Sequence, residues 1–538
     1  MKGECLVKEI QMKNFRSLKD TGMQTLSPIT ILVGENSSGK STFLRAFPLL
    51  KQSISKRTSG PILWAGDIDD YVDFGSFKET VTNDGHSNDI TFKFKFRLND
   101  GSSSRKYYHY DGAGNRLLLN DAGQEILYDM TISSLEGKEY VSHLNLTINT
   151  TQFDFDLNEM SIRSNGSILF LSSEKKKVTT ETNVDIPMAY KSYRAYSRAF
   201  GFVLPDIAEL LSQIAQYAPT TDNDEVDWYV FRQILIDIGF RLLNNAKLNL
   251  LNGKKDAKRY PTQYLQLFNS IVGAIQNDSS EKLADICKLT YIYKYFTTTV
   301  DEYINEYFRH VHYIAPLRAT AERYYRLRNL AVDEVDYQGK NLPIFINSLT
   351  SSQLKDFQAW TNKHFGFCVS TDKSGGHISL QIQLCGSEIK TNLSDTGFGY
   401  SQVLPIITQL WELSTQKKSS SYRMYGEEGA IPLVIAIEQP ELHLHPAIQA
   451  RLAKAFIACI DLARNNNREL QLLIETHSQT IVDSFGRAIA KNLLKPEDVS
   501  IILFEKNICD NATRVQNSHY NEYGFLCNWP YGFFESED

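Results

Sequence analysis

The residues with the plainest chemistry are Gly34-Glu35-Asn36-Ser37-Ser38-Gly39-Lys40-Ser41-Thr42, entered from the apolar run Ile29–Val33 and left through Phe43-Leu44-Arg45-Ala46-Phe47. An apolar strand, Gly-x-x-x-x-Gly-Lys-Ser and a helix, in that order, make a phosphate-binding loop. The glycines let backbone N–H groups curl round phosphate oxygens, and the following helix aims its positive end at the same anion. Lys40 then reaches the β- and γ-phosphates of ATP, and Ser41 is left to ligate Mg2+.

A second chemical cluster closes the run Leu433-Val434-Ile435-Ala436-Ile437-Glu438-Gln439-Pro440-Glu441-Leu442-His443-Leu444-His445-Pro446. A buried-type strand ending in acids is what a Walker B segment needs, because a carboxylate at the strand end must face Mg2+ beside the phosphate loop. Glu438 is the expected metal-side carboxylate. Leu472-Leu473-Ile474-Glu475-Thr476-His477-Ser478 is another apolar strand with a polar end. His477 there is placed to contact a γ-phosphate or the attacking water, or else to serve the fold alone.

Between these segments lies Gly397-Phe398-Gly399-Tyr400-Ser401-Gln402, which opens an apolar helix. Its glycines and serine form another anion-binding helix terminus. One molecule has no use for a second phosphate cradle unless it serves a neighbour's nucleotide. Arg16, in the turn Lys13–Leu18, is either a basic side chain returning to the nucleotide or a solvated turn residue.

The elements that must position these residues read as a mixed α/β chain. Residues 5–33 suggest a strand, a turn and the strand feeding the loop. From about 88 to 172 the period is two, as in Ile90-Thr91-Phe92-Lys93-Phe94-Lys95-Phe96-Arg97, with turns at Asp111-Gly112 and Asn165-Gly166, which predicts an antiparallel sheet. From about 200 to 330 the pattern turns helical, in Ile207–Ile214 and again in Phe231–Ile238, with polar breaks at 219–224 and 252–259. The resulting expectation is a P-loop ATPase head of mixed β-sheets and flanking helices, interrupted by a mainly helical insertion. Its divisions are 1–185, an N-terminal lobe with the phosphate loop and antiparallel sheet; 186–310, the insertion; and 311–538, a C-terminal lobe.

At 538 residues, 42% of them hydrophobic, the chain is a globular protein of two or three lobes. A net charge of −6 gives no global attraction to nucleic acid, so such contact must come from local patches. Candidates are Lys175–Lys177, Lys191–Arg198, Lys254–Arg259 and Arg323–Arg328, each equally readable as solvated surface. Seven scattered cysteines without a C-x-x-C pair argue for a reducing compartment and against a zinc site. The N-terminus is too polar for a signal peptide, and no apolar run approaches the roughly 18 residues of a membrane span, so a cytoplasmic protein is expected.

The order of phosphate loop, Gly-Phe-Gly-x-Ser-Gln, Ile-Glu-Gln-Pro-Glu-Leu-His-Leu-His-Pro and Thr-His-Ser resembles the ABC-type ATPases related to the OLD, RecF and SMC proteins. Within that group it is most similar to the ATPase subunits of antiphage systems such as Septu and the retron-associated Septu-like modules. Tyr313–Arg318, Glu322–Tyr325 and Trp529–Phe534 resemble family segments too. The resemblance implies a homodimer of ATPase heads around two ATP·Mg2+. Each site would combine Gly34–Ser41, Glu438 and His477 of one chain with Gly399–Ser401 of the other. It also implies a separate nuclease subunit, HNH-type, and in retron modules a reverse transcriptase with its nucleic-acid product. A DNA-repair ATPase of RecF type and a scaffolding dimer that sequesters a nuclease stand as alternatives.

The sequence departs from the family pattern after Glu438. The glutamate that usually polarises the attacking water is replaced by Gln439. An amide orients water but cannot take its proton, and general-base catalysis is commonly worth about 10²–10⁴ in rate. Slow hydrolysis is expected unless Glu441 or Glu475 stands in. The usual glutamine loop is not clear: Gln52 lies very close to Lys40, and Asp69–Ser76 either supplies that contact or is a solvated acidic turn. The 61 residues after His477 contain no Asp-x-Asp, so the chain is expected not to cut nucleic acid itself.

Overall fold

The computed structural model describes residues 7–56, 58–67, 70–82, 88–98, 109–110, 116–117, 124–159, 161–171, 228–243, 248–251, 262–277, 281–295, 300–327, 332, 334–415, 432–466, 468–506, 513–530 and 533. Its centre is a seven-stranded sheet in the order Val311–Ile314, Pro432–Glu438, Glu469–Glu475, Ile29–Gly34, Val499–Lys506, Thr513–Tyr520, Leu526–Cys527. The first five strands run parallel and the last two turn antiparallel.

A parallel sheet covered on both faces needs apolar strands, and the runs Leu433–Ile437, Leu472–Ile474, Ile31–Val33 and Ile501–Phe504 supply them. Alternate residues divide between two cores. Leu32, Val434, Ala436, Leu473 and Phe504 join the core on the side of the helix Lys40–Ser55. Ile31, Val33, Ile435, Ile437, Leu472 and Ile474 join the other, with the helices Phe398–Thr415, Pro446–Asn465 and Gln479–Ala490. The loop Gly34–Thr42, Glu438 and Glu475 therefore all emerge at the carboxyl ends of neighbouring parallel strands, the edge where open α/β sheets bind ligands.

The period-two stretch forms the expected antiparallel sheet, nine-stranded from Ser167–Leu171 through Asp89–Leu98 to Val7–Phe15 and Leu18–Asp20. Ile90, Phe92, Phe94, Phe96 and Leu98 are buried while the alternate Thr91, Lys93 and Lys95 are half-buried. At Asn165-Gly166 both residues take positive φ, 45° and 83°, as a two-residue hairpin of this twist requires. The turn at Asp111-Gly112 lies outside the described residues, as do the helical run Ile207–Ile214 and the polar breaks 219–224 and 252–259.

Helices Trp228–Leu243, Thr262–Asn277, Glu281–Tyr295 and Asp301–Arg309 follow. The last of them carries the antiparallel sheet onto the ATPase core. Tyr303 stacks on Phe96 at 4.4 Å, and Phe308 meets both Phe94 and Phe47 of the helix Lys40–Ser55, at 5.2 and 6.3 Å. Tyr307 donates a buried hydrogen bond to Gln471 of the central sheet. The fold is thus the expected α/β head. No helix among the described residues is long and apolar enough to cross a membrane.

Candidate functional site: a phosphate loop beside two acids

The loop geometry follows from close packing. A Cβ on Gly34 would lie 2.2 Å from the Phe504 carbonyl oxygen, and one on Gly39 would meet Ser17 Oγ at 2.8 Å with φ at 95°. Gly39 caps the helix Lys40–Ser55 without any side-chain bond to its first turn, so the terminal N–H groups there keep their unmet donors. Ser38 Oγ is buried with no partner among the described residues. A phosphate seated on this terminus would satisfy both. Lys40 is 3% exposed, and its ammonium donates to the carbonyls of Gly34 and Glu35. Burial lowers its pKa, while Glu475, Glu35 and Glu441 push the other way.

The two acid-ended strands place Glu438 directly beside Glu475. Glu438, the expected metal-side carboxylate, has its hydrogen bonds to Arg45 and Tyr313. Glu438 Oε1 accepts from Arg45 Nε and from the Tyr313 hydroxyl, Oε2 accepts from Arg45 Nη2, and all three distances are 2.7 Å. Arg45 lies one helical turn after Ser41, and its bonds to Glu438 raise its pKa further. Ser41 Oγ instead donates to Glu475 Oε1 at 2.8 Å. Burial, with the charge of Glu438 added, pushes the Glu475 carboxyl up to about 7.

Beyond Glu438 the backbone turns sharply. Gln439 has φ of 41°, and its N–H donates to the Glu475 carbonyl. Arg318 Nη2 donates to the carbonyls of Glu438 and Gln439 at 2.8 and 3.2 Å. Glu441 is spent on the neighbouring strand end: its oxygens accept from the Thr476 hydroxyl and the His477 N–H. That fixes the His477 backbone while the ring stays exposed, with its pKa lowered by partial burial and by Lys40.

Other expected residues lie apart from the loop. The Arg16 guanidinium sits over the Phe74 ring at 4.9 Å, although its neighbour Ser17 packs against Gly39. Gln52 is 1% exposed and bonds Leu63 and Val72, so it pins a loop inside the core. Gly397 has φ of 87° and leads into the helix Phe398–Thr415. Ser401 Oγ donates to the Phe398 carbonyl, Gln402 donates to the Arg318 carbonyl, and the Phe398 ring meets His443 at 4.9 Å. Among the described residues, no hydrogen bond joins Gly397–Gln402 to Gly34–Thr42 of the same chain. Of the basic patches, only Arg323–Leu327 is described, where Arg323 Nη2 donates to both oxygens of the Asp395 carboxylate at 2.6 and 2.8 Å.

Residues 6–482 match the AAA ATPase domain family. The chain belongs to that family. A solved SMC head domain from Thermotoga maritima aligns with it at 10% identity, over 95% of this chain and 98% of that chain, with a TM-score of 0.31. No curated protein matches the chain.

In this AAA ATPase domain the residues present fit a nucleoside triphosphate with Mg2+. The helix terminus and Lys40 would hold phosphates, and Ser41 with an adjacent carboxylate would hold the cation. Bound Mg2+ would neutralise charge on the phosphate oxygens. Arg45, Tyr313 and Arg318 also shape the site; they lie in stretches singled out in the sequence, the helix after the loop and the segment Tyr313–Arg318, but none of them was given a role there. Arg45 was findable, since it falls four residues after Ser41 on one helix face.

Proposed function

We propose that this AAA ATPase domain clamps ATP·Mg2+ between the Gly34–Thr42 loop of one copy and the Gly397–Ser401 helix terminus of a second. We further propose that the clamp regulates a separate nuclease in an antiphage module of the Septu or retron type. The observation that carries the clamp is the position of Gly397–Ser401. A terminus suited to anions packs on the His443–Leu444 loop and Arg318, and among the described residues no hydrogen bond joins it to its own phosphate loop. Exposed Leu317, Tyr324 and Phe398 around it offer apolar surface for a partner head. In the clamp Lys40 holds the β- and γ-phosphates, His477 faces the γ-phosphate, and Gln439 orients water without taking its proton. Hydrolysis is then slow, and bound ATP acts as a long-lived gate.

The assignment to antiphage defence rests on the motif order from the phosphate loop to Thr476-His477-Ser478. Affinity purification from the native operon, with sequencing of bound nucleic acid, tests it. The expected result is co-purification of a neighbouring nuclease in wild type and loss of its regulation in Lys40→Ala; absence of any nuclease contradicts the reading.

A further inference from the structure

We propose that the carboxylate serving Mg2+ in this site is Glu475, and that Glu438 is a positioning residue held by Arg45 and Tyr313. The inference rests on the nucleotide-binding reading above and refines it.

The two acids stand side by side at the ends of paired parallel strands, yet their surroundings differ. Glu438 has both oxygens engaged within this arrangement, with three hydrogen bonds on about four acceptor sites. Both oxygens are gripped by the Arg45 fork, and one also takes the Tyr313 hydroxyl. A bidentate guanidinium pair of this kind is among the stronger charge-assisted contacts, and its positive charge already balances the carboxylate.

Glu475 is the reverse case. It is 2% exposed, one oxygen accepts from Ser41, and the other has no partner among the described residues. An open, buried carboxylate oxygen is costly and calls for a cation or a donor. Lys40 does not fill that role, because its ammonium is bonded to the Gly34 and Glu35 carbonyls. The group touching Glu475 is the Ser41 hydroxyl, the very oxygen through which a phosphate loop meets Mg2+. A hard cation that keeps most of its water and takes one or two protein oxygens plus phosphates matches a hydroxyl beside one open carboxylate.

The remaining polar groups support this division. Arg318 anchors the carbonyls of Glu438 and Gln439, so the strand end bearing Glu438 is tied on its main chain as well as its side chain. Glu441 is taken up by Thr476 and His477. Among the described acids at this sheet edge, Glu475 alone has both an open oxygen and contact with Ser41.

The test is equilibrium binding of a fluorescent ATP analogue, in Mg2+ and in EDTA, to full-length wild type, Glu475→Gln and Glu438→Gln, with folding checked by thermal melts. Wild type should bind at least tenfold more tightly with Mg2+. Glu475→Gln should keep its EDTA affinity within about twofold and lose most of that enhancement, whereas Glu438→Gln should retain it. If Glu475→Gln fails to fold, Glu475→Asp replaces it and should lose most of the enhancement as well. Full Mg2+ enhancement in the Glu475 variant, or its loss only in Glu438→Gln, overturns the assignment while leaving nucleotide binding intact. Absence of nucleotide binding by wild type in both conditions overturns the nucleotide reading itself.

Discussion

Gln439 holds a left-handed backbone between the Glu475 carbonyl and the Arg318 guanidinium, so a side chain at this position is aimed by constraints that do not depend on its own chemistry. Replacing it with glutamate should therefore keep the geometry and restore a proton acceptor. Single-turnover hydrolysis by Gln439→Glu is expected to rise at least ~10-fold, toward the range general-base catalysis supplies; an unchanged rate would remove the case for a slow gate. Glu475 carries a second prediction at this scale. Its carboxyl is raised to about 7 from an ordinary 4.5, so between those pH values the folded, nucleotide-free protein holds a proton that the unfolded chain has released. Stability should then fall as pH rises through that window, by roughly 3 kcal/mol at most, and be level above it. Urea unfolding at pH 5 and pH 7.5 measures this. Glu475→Gln should flatten the difference, and an identical pH dependence in the variant would rule out the Glu475 carboxyl as its source.

At the scale of elements, a polar bridge ties the phosphate-loop helix to the Gly397 helix. Lys51, 7% exposed, pairs with Glu334 at 3.6 Å; Glu334 also meets His312, and Gln409 bonds the same His312 ring. Lys51 and His312 hold Glu334 at about 2, well below the ordinary carboxylate range. Glu334→Gln leaves a buried ammonium without its counter-charge and should cost about 1–2 kcal/mol in urea unfolding at neutral pH, the low end because Glu334 is 44% exposed. No change in midpoint would show the bridge to be ornamental.

None of these four residues forms a local pattern, which explains why the bridge was invisible in the sequence. The strand, loop and helix of 29–55 were legible because every constraint acts within one short stretch: apolar residues for the strand, glycines for close approach, a lysine and hydroxyl at fixed offsets. The sheet from 89 to 171 was legible for the same reason, through a period of two. The partner of Glu438 was not. Arg45, Tyr313 and Glu438 come from three distant segments, and only the strand order of the central sheet brings them together. Gln52 is the opposite case: a polar residue near a motif, too close to Lys40 to read as the usual glutamine loop, that the fold uses in its core.

At the scale of the whole molecule, the proposed clamp would make the isolated chain half of two composite sites. The phosphate loop and the Gly397 terminus are each built, and among the described residues no hydrogen bond joins them within the chain. ATP should therefore act as the bridge between copies. Light scattering coupled to size exclusion, with and without ATP·Mg2+, tests this most directly. Wild type should double its mass only when ATP is present, and Lys40→Ala should remain a monomer under both conditions. A mass that stays unchanged while a fluorescent ATP analogue is demonstrably bound would contradict the clamp.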